Sequence, residues 1–480
     1  MQKKFTIKKN SVKVRKAGDA VNEESLSTGI ARKSLSDELH INIISTASVD
    51  TSNLYRLSSP IEAEKKKSGI TGVRKKRRAT RNLELKSAPP IPTAPTDAAT
   101  RKRNFIVSQI KSHLYEIDLP FCLFVLILSA IGLIGVFSAT LSFDSYKFIL
   151  VQGFGIFLGV FCAVVLSFID YRQLASKYRY IIAINAAILI ITFIFGQSVT
   201  EATNANWIDL GIIKIQPSEF AKLLFIFTFA VHLTQLRDKM HKFSTVIFLI
   251  LHAGIIFGLV LLQRDLGSLT IFIVIFVSMC FAAGLSFWYY IFGACAIVCV
   301  SPFLWARLSE YQRNRIMLCF DSTIDPEGIG IRYQQLRSVT AIGNGGIFGT
   351  GFTKGTVTQG LSDHLPAKHT DMIFSTLCEE WGLIGAIIIL LITSFIIFRA
   401  LKIALNCSNT TGRYICVGIA SMLMIQVIEN VGMCLGIMPV IGITYPFLSY
   451  GGSSILSCFI AAGFVMSVST HSEKTFFSGK

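Results

Sequence analysis

From Asp118 onward the chain alternates between long apolar runs and short polar connections. About ten windows are long enough to cross a bilayer, near 119–140, 148–169, 179–196, 217–235, 243–263, 267–284, 286–305, 371–399, 412–436 and 451–470. A helix rises ~1.5 Å per residue, so roughly 20 apolar residues span a ~30 Å hydrocarbon layer. The pattern predicts an all-α, polytopic integral membrane protein. Only Leu285 parts the sixth window from the seventh. One connection breaks the rhythm. Residues 306–370 form by far the longest polar interruption, which closes with His364-Leu-Pro-Ala-Lys-His369-Thr-Asp371 at the mouth of the eighth run. An ionisable group beside hydrocarbon is costly and usually lines a cavity or a site.

Residues 1–115 have a different composition, with too little apolar surface to offset the entropy of folding, so a disordered basic tail is expected there. They carry about two dozen Lys and Arg against about ten acids, including Lys65-Lys66-Lys67 and Arg74-Lys75-Lys76-Arg77-Arg78; the remainder is nearly balanced. The chain's net charge of +17 therefore describes a tail, not a basic face for nucleic acid. No apolar stretch near Met1 reads as a cleaved signal. The division expected is a tail over 1–115, a membrane domain over 116–470 and a second short tail over 471–480. The 11 cysteines are scattered, mostly in apolar runs, and read as small buried side chains.

Short-loop charge sets the orientation, because Lys and Arg favour the cytoplasmic side. Arg172, Lys177 and Arg179, then Arg237, Lys239 and Lys242, then Arg399, Lys402 and Arg413 fall in even-numbered connections. Both termini are then cytoplasmic, and 197–216, the turn at 263–267, the 306–370 loop and 437–450 face outward. The candidate chemistry crowds this side. Trp207 precedes Gln216-Pro217-Ser218-Glu219-Phe220-Ala221-Lys222, where Pro217 suits a first helical turn. Glu219 and Lys222, three apart, share one helix face. They make either an ion pair snorkelling to water or a polar patch in a groove. Asp265 sits in a tight turn and reads, taken alone, as a helix cap. Glu379 and Glu380 inside an apolar window need partners or water.

In the long connection, Tyr311-Gln-Arg313-Asn-Arg315 precedes Ala341-Ile-Gly343-Asn-Gly345-Gly346 and Gly349-Thr-Gly351. These glycines could cradle a phosphate beside the two arginines, but the run lacks the Lys and Ser/Thr of a P-loop. His364 and His369 have no further ligand pattern for zinc. In the last outer connection, Pro439, Gly442, Pro446 and Ser449-Tyr450-Gly451-Gly452 break the helix at membrane depth. Irregular backbone there must be buried in protein or line a wet cavity, which suggests a re-entrant segment.

Five motifs stand in order: Gln-Pro-Ser-Glu-x-x-Lys at 216–222, Asp-Leu-Gly at 265–267, Ala-Ile-Gly-x-Gly-Gly at 341–346, His-Thr-Asp at 369–371 and Ser-Tyr-Gly-Gly-Ser-Ser at 449–454. Together they resemble the SEDS family (shape, elongation, division and sporulation), over about residues 117–470. The resemblance implies a ten-helix inner-membrane enzyme, a peptidoglycan glycosyltransferase that polymerises lipid II for cell elongation or division beside a class B penicillin-binding protein. Pro439-Val-Ile-Gly442 leans toward the elongation branch. Asp371 corresponds to the proposed catalytic acid, with Glu219, Lys222 and Asp265 as further site residues. Departures are Asn206 where the pattern has Arg, Arg264 where it has Pro, Ala367 where it has Glu, and Glu429 at a usually apolar place.

An α-linked donor giving a β-1,4 product implies one inverting displacement. Asp371 would be the base. Lys222, Arg313, Arg315 or a divalent cation (magnesium or manganese) would neutralise the departing diphosphate; no organic cofactor is implied. Trp207, His369, Ser449 and Tyr450 complete the expected substrate contacts. The alternative is a transporter that flips the same precursor, whose polar groups would gather at the midplane instead.

Overall fold

The computed structural model describes residues 116–143, 146–196, 206–209, 214–360 and 365–472. The expected basic tail over 1–115, His364, and the end of the chain from 473 lie outside the described residues. Those described belong to one compact unit, Thr93–Lys480.

The apolar windows all become helices. They are α1 (Leu119–Thr140), α2 (Lys147–Phe168), α3 (Tyr178–Phe195), α4 (Pro217–Leu236), α5 (Phe243–Leu262), α6 (Leu266–Ala282) and α7 (Phe287–Arg307). After two short helices, α8 (Glu310–Met317) and α9 (Tyr333–Gly345), come α10 (Ile373–Asn406), α11 (Thr410–Cys434) and α12 (Gly452–His471). Among the described residues nine helices are long and apolar enough to cross a membrane, and α6 is a shorter apolar helix. The narrow break at Leu285 is real: Gly284 adopts φ +80 and ends the turn after α6. A two-stranded hairpin, β1 (Ile208–Asp209) with β2 (Lys214–Ile215), pairs Ile208 with Ile215 ahead of α4.

Small residues let the helices approach. A Cβ on Gly155 or Gly159 of α2 would meet Ile455 and Phe459 of α12 at 2.8 and 2.5 Å, which is the small-xxx-small contact that substitutes for hydrophobic drive inside a membrane. α4 and α11 are buried through most of their length, whereas α7 buries none of its residues.

The Gly-rich stretch differs from expectation. Ala341–Gly345 is the end of helix α9, and the turn after it packs on α10. α10 is interrupted at Gly382 (φ +68). There the turn supplies the missing backbone partners. Thr350 and Gly351 N–H donate to Glu379 and Glu380 carbonyls (2.9 and 3.0 Å), and Leu383 N–H donates to Gly346 (2.9 Å). A Cβ on Gly345 would lie 2.0 Å from the Cys378 carbonyl oxygen and one on Gly349 would lie 2.1 Å from that of Glu380, so these two glycines serve backbone-to-backbone packing.

Candidate active site

The odd-numbered connections converge on one cavity of about 1250 Å³. Trp207, Asp265, Arg315, Asp371 and Tyr450 all line it. So do Gly442 and Thr444 of the irregular segment between α11 and α12, whose Tyr445 and Leu448 are fully buried. That segment is thus both packed in protein and cavity-lining, as a re-entrant segment must be.

Asp371 is half-buried and ends the turn before α10. It is not the helix cap. Met372 holds that position and makes no side-chain cap. No hydrogen bond to the Asp371 carboxylate occurs among the described residues, and its Oδ2 lies 3.5 Å from where a Cβ on Gly442 would stand. Burial pushes its carboxyl up to about 6, against the pull of the Arg315 guanidinium. A carboxylate with unused lone pairs and a pKa near neutral suits proton abstraction. The rise comes from burial beside the re-entrant segment. Glu379 and Glu380 take no part, and the Gly-rich turn does not cover the acid.

Asp265 does cap α6, accepting from Ser268 N–H (2.9 Å) and Ser268 Oγ (2.8 Å), and it lines the cavity as well. Burial raises its carboxyl above the usual value, while the Ser268 bonds oppose this. Lys222 is buried against Glu219, Nζ to Oε1 2.8 Å, and Ser457 Oγ donates to the other Glu219 oxygen (3.0 Å). The pair does not snorkel; Lys222 is 1% exposed. Glu219 and Asp265 share a small polar cavity of about 20 Å³, room for one water. Lys222 itself stays beneath Glu219 and out of the large cavity.

Three expected substrate contacts have other duties. Arg313 donates to the Trp305 and Ala306 carbonyls (3.0 and 2.8 Å), closing the end of α7. The His369 ring packs edge-on against Phe143 and Phe148, and burial holds it down to about 4, hence neutral. Ser449 Oγ donates to the Thr370 carbonyl (2.7 Å) and accepts from Tyr445 N–H (2.8 Å), pinning the Asp371 turn. Arg315 remains at the cavity, stacked over the Tyr311 ring at 4.7 Å.

The profile of the FtsW, RodA and SpoVE cell cycle proteins matches residues 119–474. The chain belongs to that family. Stage V sporulation protein E of Bacillus subtilis is a 34% identical family member over 370 residues, 74% of this chain and 98% of that protein. Peptidoglycan glycosyltransferase MrdB of Escherichia coli is 36% identical over 319 residues, 65% of this chain and 83% of that protein. A chain of a solved peptidoglycan synthase complex, described as coordinating polymerization and crosslinking, superposes with a TM-score of 0.63 at 27% identity, over 74% of this chain and 97% of that one.

Two residues of this family member escape motif reading. Glu429, in the interior of α11, accepts a 2.5 Å hydrogen bond from Thr270 Oγ1 at the cavity wall. Asn430 beside it donates to the Asp371 carbonyl (2.7 Å). Asn430 has no signal in the sequence beyond polarity inside an apolar window, whereas Glu429 stands out as an acid at a usually apolar place.

Proposed function

We infer that this chain is a peptidoglycan glycosyltransferase that polymerises lipid II into β-1,4 glycan strands. The observation that carries the reading is the unbonded Asp371 carboxylate in a large cavity that Arg315 also lines. In the step proposed, the acceptor sugar hydroxyl gives its proton to Asp371 and its oxygen attacks the donor anomeric carbon. The bond to the polyprenyl diphosphate breaks, and its electron pair leaves with the diphosphate. Arg315 meets that charge with a planar fork of donors. Lys222 serves at one remove, by holding Glu219 in place.

Among the described residues no three His, Cys, Asp or Glu side chains converge as a metal cage. A magnesium-class cation needs only one or two carboxylates besides substrate phosphates and water. Asp265, on the cavity wall and bonded only by Ser268 among the described residues, fits that need and leaves Asp371 free to act as the base. Such a cation would supply further charge neutralisation for the diphosphate.

The site faces the outer side of the bacterial inner membrane, with both termini cytoplasmic, and works beside a class B penicillin-binding protein that crosslinks the strands. The loop charges and the convergence of the odd-numbered connections support this sidedness. A thiol introduced at exposed Asn344, in a variant without native cysteines, should react with an impermeant reagent; protection there with labelling near 407–409 would reverse the orientation. Purified protein given labelled lipid II tests the chemistry. Polymer is expected, and translocation without polymer would favour the flippase instead.

A further inference from the structure

Three consecutive carbonyls of the Asp371 turn are each held from outside it. Tyr450 N–H donates to His369 O (2.9 Å), Ser449 Oγ to Thr370 O (2.7 Å) and Asn430 Nδ2 to Asp371 O (2.7 Å). The same Asn430 Nδ2 donates to Ile443 O (2.7 Å). Asn430 is fully buried in α11. Two carbonyl oxygens face its amide, so only the NH₂ end can point at them. Cys434, one turn on, brings its Sγ to 3.8 Å from the Asp371 oxygen on the same helix face.

The two acceptors belong to different parts of the site. One is the residue with the unbonded carboxylate. The other follows Gly442, the residue against which that carboxylate lies. Gly442 sits at φ +76, a backbone conformation that glycine adopts readily and other residues rarely do. With the carbonyls turned into the protein, the Asp371 side chain is left facing the cavity.

We propose that Asn430 is a positioning residue for the reaction, whose one amide ties the Asp371 turn to the re-entrant segment and so fixes the carboxylate beside Gly442. The proposal rests on Asp371 being the base. It does not require Asn430 to touch substrate. A misplacement of about 1 Å in a reacting group costs on the order of 10² in rate.

Two substitutions test it in the full-length protein. Asn430→Leu keeps the number and branching of side-chain heavy atoms, adds no charge and removes both donors; Asn430→Ser keeps one. The charged group facing the carboxylate, Arg315, is untouched in both. Asn430→Leu should lower kcat about 10–100-fold with KM within about threefold, and Asn430→Ser should fall between it and the parent. A readout independent of activity is labelling of Asp371 by dicyclohexylcarbodiimide, followed by peptide mass spectrometry across pH, because the reagent adds to protonated carboxyls. The midpoint should be about 6 in the parent and move toward about 4 in Asn430→Leu as the carboxyl gains water. A folded Asn430→Leu with the parental midpoint and kcat overturns the proposal. Loss of monodisperse protein in both variants also overturns it, by making Asn430 a residue of the fold alone. If the parent makes no polymer, the glycosyltransferase reading fails, and the labelling midpoint still judges the clamp.

Discussion

Asp371 and Glu379 flank the first turns of α10, and their carboxylates have opposite surroundings. Glu379 is fully buried and accepts from Val357 N–H (2.9 Å), Thr358 N–H (2.9 Å) and Thr356 Oγ1 (3.1 Å). Glu380 beside it accepts from Ser138 Oγ of α1. Glu379 is spent on folding the 306–370 loop down onto α10, while Glu380, whose other oxygen is buried without a partner, ties α10 to α1. Asp371 is held by its backbone alone and keeps its oxygens unused. A buried charge saturated with donors is part of the frame. One whose peptide is pinned while its carboxylate is left open is available for chemistry.

The largest effect should come from Asp371→Asn. The substitution keeps shape and removes the base, so polymerisation of lipid II should fall about 10²–10⁴-fold with unfolding temperature unchanged. A rate near the parent's would erase the distinction between the two acids. Glu379→Ala should do the reverse. It strands two buried N–H groups, a loss of about 2–4 kcal/mol at 1–2 for each, read as a lower unfolding midpoint in detergent. Gly349→Ala, which combines φ +83 with the Glu380 carbonyl in the way, should destabilise the same region. If Glu379→Ala lost activity while keeping parental stability, Glu379 would belong to the chemistry and not the frame.

The pH profile sharpens the comparison. With Asp371 titrating at about 6, its base form is lost as pH falls. kcat/KM should therefore drop about tenfold per unit below that point and level off above it. Any polymerisation left in Asp371→Asn should lack this limb. Glu379→Gln, where folded, should keep it in place.

Legibility in the sequence followed periodicity. Every apolar run became a helix within two residues of its expected ends except α10, which runs on to Asn406, because length and hydropathy alone decide whether a segment can span. The cavity was half legible. Asp265, Arg315 and Asp371, which line it, stand out by charge beside hydrocarbon, which is costly enough to be noticed, and so does Glu219 in the small cavity. The Gly-rich run reads either way, since a glycine needed for contact with another backbone looks the same in sequence as one needed for a ligand. Asn430 was missed because a neutral amide in an apolar window has no distinctive spacing. Arg313 and Arg315 were grouped because both are basic, although the sequence held a sign to part them. Ser309-Glu-Tyr-Gln312 is a capping-box pattern, and it does cap α8.

The smallest expected effect lies in that arginine pair. On a helix, residues two apart point to nearly opposite sides. Arg315 accordingly lines the cavity over Tyr311, while Arg313 turns back to the carbonyls ending α7. Removing Arg313 leaves exposed carbonyls that water can satisfy, so Arg313→Ala should cost a few tenths to about 1 kcal/mol of stability and leave polymerisation within about twofold. Arg315→Ala removes the guanidinium opposite Asp371 and should lower kcat/KM about tenfold or more. It should also carry the acid limb of the profile upward from about 6, because the charge that held the Asp371 carboxyl down is gone. Arg315→Lys restores charge without the planar fork and should recover the position of the limb more fully than the rate. Equal losses from Arg313→Ala and Arg315→Ala, with no movement of the limb in either, would show that the cavity wall is not where the diphosphate is met.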